Sequence, residues 1–293
     1  MLRSILFQKL SLIALSSIIL CSCKEEVEWT NLVDKDLSQW DRYLSYRLPV
    51  GYDGSVPKDK DGNEIAPIGF NQPGYDVFTV IEEQNEPVIR ISGEIYGCLV
   101  SKMEYSNYHL SLKVKWGEMK WDPRKKLLKD SGLMYHSIGP IGKDYWRSWM
   151  LSQEFQIMEG HMGDFWSQQT SAIDIRAYIP ESVMNSVADE SQPFIPFGEG
   201  AQTGFCMRSA NYEIANEWND IDLICYNGRS LHIVNGNVVM ILENSRYFEN
   251  GNSLPLIKGK IQIQSEGAEV FYKDINIREL ETFPAEYEKY FKD

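Results

Sequence analysis

The chain is poor in histidine, cysteine and basic charge. It holds four His and five Cys in 293 residues, and its 29 Lys and Arg face 42 Asp and Glu for a formal charge of −13. An acidic surface repels phosphate backbones and anionic lipids, which excludes nucleic acid as a natural partner and leaves no basic patch to hold a membrane. Cys98, Cys206 and Cys225 are odd in number and widely spaced, so they make neither a disulfide framework nor a zinc pattern and read as small buried hydrophobes. No apolar run is long enough for a permanent span, which needs about 20 residues. Helical periodicity is scarce, and no repeat of 20–50 residues is visible, which excludes solenoids and propellers.

The N-terminus reads as an export signal. Arg3 and Lys9 precede a short apolar run from Leu10 to Leu20, followed by Cys21-Ser22-Cys23. Leu20-Cys21-Ser22-Cys23 resembles the lipobox of bacterial lipoproteins. Residues 1–22 are then a signal peptide, Cys23 carries the lipid, and residues 23–28 are a tether. The anchor, in place of surface charge, supplies membrane attachment. Lys24-Glu25-Glu26 resembles the surface-export signal of Bacteroidetes lipoproteins, which points to the outer face of the outer membrane; a solvated tether on the periplasmic side would read the same way.

What remains alternates with period two between Gly, Asn, Asp and Pro, the signature of strands joined by turns. The pattern predicts strands at 78–82, 88–92, 108–116, 132–136, 154–158, 218–226, 230–234, 238–242, 259–264 and 270–277. Asn235-Gly236 is the strongest hairpin signal. Residues 45–75, 117–130 and 180–204 are rich in turn formers and read as long loops around one face. The expected fold is all-β: one concanavalin-like β-sandwich, or jelly roll, over residues 29–282, with 283–293 as a C-terminal tail. Aromatics make up 12%, with eight Trp and sixteen Tyr, enough for some to line a carbohydrate site.

Glu154-Phe155-Gln156-Ile157-Met158-Glu159 is the most informative segment. On a regular strand Glu154, Gln156 and Met158 share one face and Phe155 and Ile157 the other. Glu159 joins the polar face if a bulge near Gly160 adds a residue. Two carboxyl groups about 5–5.5 Å apart would suit a retaining glycosidase. The segment resembles the Glu-x-Asp-x-x-Glu strand of retaining β-glucanases and laminarinases, with Gln156 in place of the central Asp.

A wider resemblance spans most of the chain. Trp29-Thr-Asn-Leu-Val-Asp-Lys-Asp-Leu-Ser-Gln-Trp40, Asp130-Ser-Gly-Leu-Met-Tyr-His136, Glu154-Phe-Gln-Ile157, Gly163-Asp-Phe-Trp166, Glu217-Trp-Asn219 with Asn235-Gly236, and the closing segment from Lys258 to Arg278 occur in that order. Together they resemble the 3-keto-disaccharide hydrolase domain family, also described as 3-keto-glucoside lyases and hydratases. The resemblance implies an enzyme that cleaves the glycosidic bond of 3-keto-glucosides or disaccharides, by hydrolysis or by elimination and hydration. Glu154 would be the base, Gln156 would orient the sugar, and Glu159 or Asp164 would protonate the leaving group. His136 or His161 could bind the keto oxygen or, with Glu154, a divalent cation. Tyr135, Trp149, Trp166, Arg208, Gln264 and Glu266 complete the candidate substrate site, and two of Tyr145, Trp146, Trp149 and Trp166 are expected to face the sugar. His109 and His232 read as structural. A non-catalytic glycan-binding lipoprotein is the rival from another class.

Overall fold

Along Tyr108–Lys120 every second residue from Tyr108 to Val114 is buried and the residues between are half-exposed, as a strand with one face on a core requires. The same logic repeats through a computed structural model that describes residues 28–181 and 184–292. The expected signal peptide, Cys23 and most of the expected tether lie outside the described residues.

Two layers result. In the first, neighbouring strands run in the order Gly69–Phe70, Trp40–Leu44, Gly97–Ser101, Lys260–Ser265, Asp130–Ile138, Leu151–Met158, Phe165–Gln168 and Phe205–Met207. The second runs Phe78–Glu83, Glu86–Ile91, Ala268–Glu279, Tyr108–Lys120, Asn219–Tyr226, Arg229–Val234, Asn237–Glu249, Ser171–Tyr178 and Phe194–Gly198. Ser171–Tyr178 also pairs with Ser186–Ala188 and joins the layers at one side. Leu99, Leu133, Phe155, Ile157 and Ile263 from the first layer pack with Leu110, Leu112, Ile221, Val270 and Tyr272 from the second. Fully burying each Leu, Ile or Phe contributes about 1.5–3 kcal/mol. The architecture is the expected β-sandwich.

All ten expected strands form. The turn at Asn235-Gly236 has φ of 48° and 75° at its two central residues, the conformation that favours Asn-Gly in a tight hairpin. The segment 180–204 departs from expectation, because it contains the strands Ser186–Ala188 and Phe194–Gly198. Pro196 is tolerated because its strand pairs only with Ser171–Tyr178 among the described strands, and an edge need not supply a second donor. The tail also has a place: Phe283 packs with Ile224, Leu231, Ile233 and Ile241 on the outer face of the second layer, and Tyr287, Tyr290 and Phe291 lie against it. The three cysteines are buried and free.

Candidate active site

The outer face of the first layer carries a cavity of about 640 Å³. Its floor follows from strand alternation. Phe155 and Ile157 point into the core, so Glu154, Gln156 and Met158 point the other way and line the cavity. Gln264 and Glu266 do the same from the end of Lys260–Ser265. Between them lies Gly132, opposite Gln156 in the register. A Cβ there would collide with Glu154 Oε1 and Gln264 Oε1, so the glycine is what lets the two side chains converge above the sheet.

The walls come from loops. Asp144 accepts backbone hydrogen bonds from Trp146 (2.6 Å), Ser148 (3.0 Å) and Trp149 (2.6 Å). This curls the segment so that Tyr145, Trp146 and Trp149 all reach the cavity. Arg147, at φ 59°, turns outward and donates to the Gly54 carbonyl at 2.8 and 3.1 Å, fastening the 45–75 loop behind the aromatics. Trp166 lines the opposite side with Phe205. Thus all four flanking aromatics face the cavity, where two were expected.

Sequence reasoning missed the cation of the site. Arg124, in the 117–130 loop, is ion-paired with Asp130 and, at 3.5 Å, with Glu266. Gln156 Nε2 donates to the other Asp130 oxygen at 3.1 Å. The loop is pinned by Trp121, whose backbone N–H donates to the Gly267 carbonyl at 2.8 Å and whose indole donates to the Ser92 carbonyl at 3.0 Å. Nothing in the local pattern of Trp121-Asp-Pro-Arg124 distinguishes this arginine from the lysines that follow it. Gln168 was also missed; its amide donates to Glu154 Oε2 at 2.5 Å.

Three buried carboxyl groups, Asp130, Glu154 and Glu266, therefore gather around one guanidinium, which pairs with the first and the last. Burial is the first cause that pushes Glu154 up to about 8, with the nearby Glu266 charge adding and the amides of Gln168 and Gln264 opposing. Burial also raises Glu266 to about 7 against the pull of Arg124. Asp130 is held well above the usual carboxylate range by burial and then by Glu266, with Arg124 again opposing. The cluster can hold and release protons near neutrality, which ordinary carboxylates do not. Several buried polar atoms on its lining residues have no protein partner: Gln156 Oε1, Gln264 Oε1, Arg124 Nε and Trp149 Nε1.

Other expected site residues are placed elsewhere. Glu159 does not line the cavity; it pairs with Lys129 at 3.4 Å on the surface. The reason is that Leu151–Met158 stays in regular register with its neighbour through Met158, so no inserted residue returns Glu159 to the cavity face. The irregularity falls instead on the adjacent strand, at His136 with φ 52°. Tyr135 follows Leu133 onto the core face by ordinary alternation, and the kink turns His136 into the interior as well. Tyr135 lies in the core at 3.1 Å from Ser230 Oγ. His136 contacts the Ser106 carbonyl at 3.3 Å and packs on Tyr108, and burial lowers it to about 4.

Asp164 and Arg208 stand behind the wall, since Asp164 is fully buried and accepts from the Arg208 side chain at 2.9 Å. Only His161 of that group reaches the cavity, with Nδ1 3.2 Å from Asp164. Among the described residues, no three His, Cys, Asp or Glu side chains gather in a way that would hold a metal ion. His109 and His232 are structural as expected. His109 pairs with Asp222 at 2.7 Å, and His232, fully buried, lies 3.1 Å from the Gly163 carbonyl.

No curated protein matches the chain. Among solved structures it is similar to a putative glycosyl hydrolase from Parabacteroides distasonis, at 16% identity over 86% of this chain and 100% of that one, with a TM-score of 0.46. A second putative glycosyl hydrolase from the same organism is 18% identical over 71% and 86% of the two chains, with a TM-score of 0.39. The carbohydrate-binding module CBM66 from Bacillus subtilis is 9% identical over 69% and 91%, with a TM-score of 0.38. The family of 3-keto-alpha-glucoside-1,2-lyase-like domains matches residues 28–278. With that match across the whole sandwich, the chain belongs to the 3-keto-alpha-glucoside-1,2-lyase-like family of carbohydrate-active domains.

Proposed function

We propose that the protein cleaves the C1–O bond of 3-keto-glucosides, with Glu154 as the base. The observation that carries this reading is Glu154 itself: a buried carboxyl, poised near neutrality, that projects into an aromatic-walled cavity beside unpaired polar atoms. A ketone at C3 acidifies the C2 proton. Glu154 removes that proton, the C1–C2 double bond forms, and the C1–O bond breaks to release the alcohol. Addition of water across the enone returns a proton to C2 and places hydroxyl on C1, so the sum is hydrolysis. Elimination alone would stop at the enone.

The leaving oxygen needs a proton, and the enolate oxygen needs a donor. Glu266 takes the first role in place of Glu159 and Asp164, since it faces the same cavity and burial raises it to about 7. Arg124 takes the second, since its guanidinium lines the same cavity. A double displacement built on Glu154 and Glu159 would need Glu159 to abandon Lys129.

The test is a purified protein lacking residues 1–22, given a 3-keto-glucoside deuterated at C2. Turnover with a primary isotope effect is expected. Cleavage of laminarin or lichenan with none of the keto sugar would overturn the proposal, and binding of glycosides without turnover would mark a lectin instead.

We further propose that the domain works at the cell envelope through a lipid on Cys23. In a bacterial host the full chain should partition with membranes and be removed from intact cells by added protease. Cys23→Ser should move it to the soluble fraction. An unchanged membrane fraction in that variant would remove the anchor.

A further inference from the structure

A second cavity, of about 440 Å³, adjoins the first at the strand Ser186–Ala188. Val187 and Ala188 line it, while Asn185, just before them, lines the catalytic cavity. Val187 is also the register partner of Met207, which belongs to the catalytic lining. The volume falls within the roughly 300–1,000 Å³ usual for small-ligand sites.

Its charges are balanced. Arg176 lines the cavity, but its Nε, Nη1 and Nη2 donate to the carbonyls of Tyr290 (3.0 Å), Gln192 (2.9 Å) and Lys292 (3.0 Å). Its guanidinium also lies over the Phe194 ring at 4.4 Å, so this cation is spent on holding the C-terminal tail. Lys289 lies over the ring of Tyr290, another lining residue, at 4.7 Å. Against these two cations stand Asp189 and Glu190. Asp189 Oδ1 accepts from the Ser191 N–H and hydroxyl at 2.8 and 2.7 Å. Glu190 has no hydrogen-bond or ion-pair partner among the described residues. An anion would meet two carboxylates and an arginine with its nitrogens engaged, and a cation would meet Arg176 and Lys289. The cavity therefore suits an uncharged ligand.

What it offers such a ligand is aromatic surface beside hydrogen-bonding groups. Tyr178 and Tyr212 line it at 39% and 42% exposure, and their hydroxyls have no partner among the described residues. Tyr290 adds less, since Tyr287 stacks on it at 6.4 Å and Lys289 covers it. Asn237 donates through Nδ2 to the Asn235 carbonyl at 2.8 Å, which leaves its Oδ1 as an acceptor. A pyranose ring matches both parts. Its C–H face packs on a tyrosine ring, and its rim hydroxyls donate to carboxylates and an amide oxygen, the carboxylate bonds being the stronger. We propose that this cavity is a second, non-catalytic glycan site that takes an uncharged sugar chain. It would hold a polymer beside the catalytic cavity, and it stands whether or not Glu154 is the base.

The experiment is affinity electrophoresis of the protein lacking residues 1–22, in native gels containing laminarin, glycogen, xylan or galactomannan, with polygalacturonate as the anionic control. At least one neutral polysaccharide should retard the wild type, and polygalacturonate should not. Tyr178→Ala and Tyr212→Ala should each raise the dissociation constant about tenfold, the effect of losing one aromatic contact. Trp166→Ala, in the catalytic cavity, should weaken retardation less than either. No retardation of the wild type by any of the four, retardation that survives both tyrosine variants, or a larger loss in Trp166→Ala overturns the proposal. Equal retardation by polygalacturonate overturns the assignment to an uncharged chain. Both tyrosines are partly exposed, so their variants should melt with the wild type. Should either fail to fold, Glu190→Gln takes its place: a loss of about threefold, one hydrogen bond weakened, is expected, and unchanged retardation counts against the site.

Discussion

Glu154→Gln should lower kcat on a 3-keto-glucoside by about 10²–10⁴-fold while KM stays within a few-fold, the range that a positioned general base supplies. Gln keeps the shape and can still hydrogen-bond Gln168, so loss of rate with retained binding separates chemistry from folding. The pH profile gives a second reading. The base must be ionised, and burial raises Glu154 to about 8, so the acidic limb of kcat/KM should rise through that region instead of near the ordinary carboxylate value.

The same shift has a cost in stability, and the sign follows directly. A carboxyl whose folded pKa lies above its unfolded value binds its proton more tightly when folded. Its contribution is therefore complete below about 4.5 and is lost as pH rises to about 8. Glu154→Gln removes that loss. The variant should melt at a higher temperature than the wild type at pH 9 and close to it at pH 5. Equal melting temperatures at both pH values, together with unchanged kcat, would show that Glu154 is an ordinary buried side chain. A residue that slows catalysis when replaced, yet stabilises the fold, is the signature of a site held at the expense of stability.

How much of this was legible in the sequence depended on whether local pattern decided the outcome. Phe155 and Ile157 against Glu154 and Gln156 is a two-residue period, and alternation alone assigned each to its face. Gln264 and Glu266 followed by the same rule. Tyr135 obeys that rule too, since it shares the core face of Leu133, opposite the cavity; His136 does not, because its left-handed conformation breaks the alternation and His carries no glycine-like signal for such a kink. Asp164 sits in a motif with the right residue types, but its burial with Arg208 behind His161 is a tertiary outcome. Arg124 was hardest. Its role comes from a loop closing over Gly267 onto two carboxyl groups, Asp130 and Glu266, one of them distant in sequence. No window of neighbouring residues contains that information.

Arg124 is also where the second large effect is expected. Its guanidinium is the ion-pair partner recorded for both Asp130 and Glu266, and it offsets part of the burial that raises both. Arg124→Met keeps much of the side-chain length and removes the charge. Breaking a buried pair from one side costs about 3–5 kcal/mol, because the remaining charges must either stay unpaired or take up protons. At about 2–4 °C per kcal/mol for a domain of this size, the melting temperature at pH 8 should fall by roughly 6–20 °C. At pH 5 the fall should be much smaller, since Glu266, raised to about 7 in the wild type, is then protonated with or without the arginine. Adding Glu266→Gln to Arg124→Met should restore part of the loss at pH 8, by removing one of the stranded charges. A melting temperature that falls equally at pH 5 and pH 8, with no recovery in the double variant, would mean that Arg124 acts through packing alone. The pH-dependent outcome would instead identify it as the counter-charge that lets three carboxyl groups share one buried site.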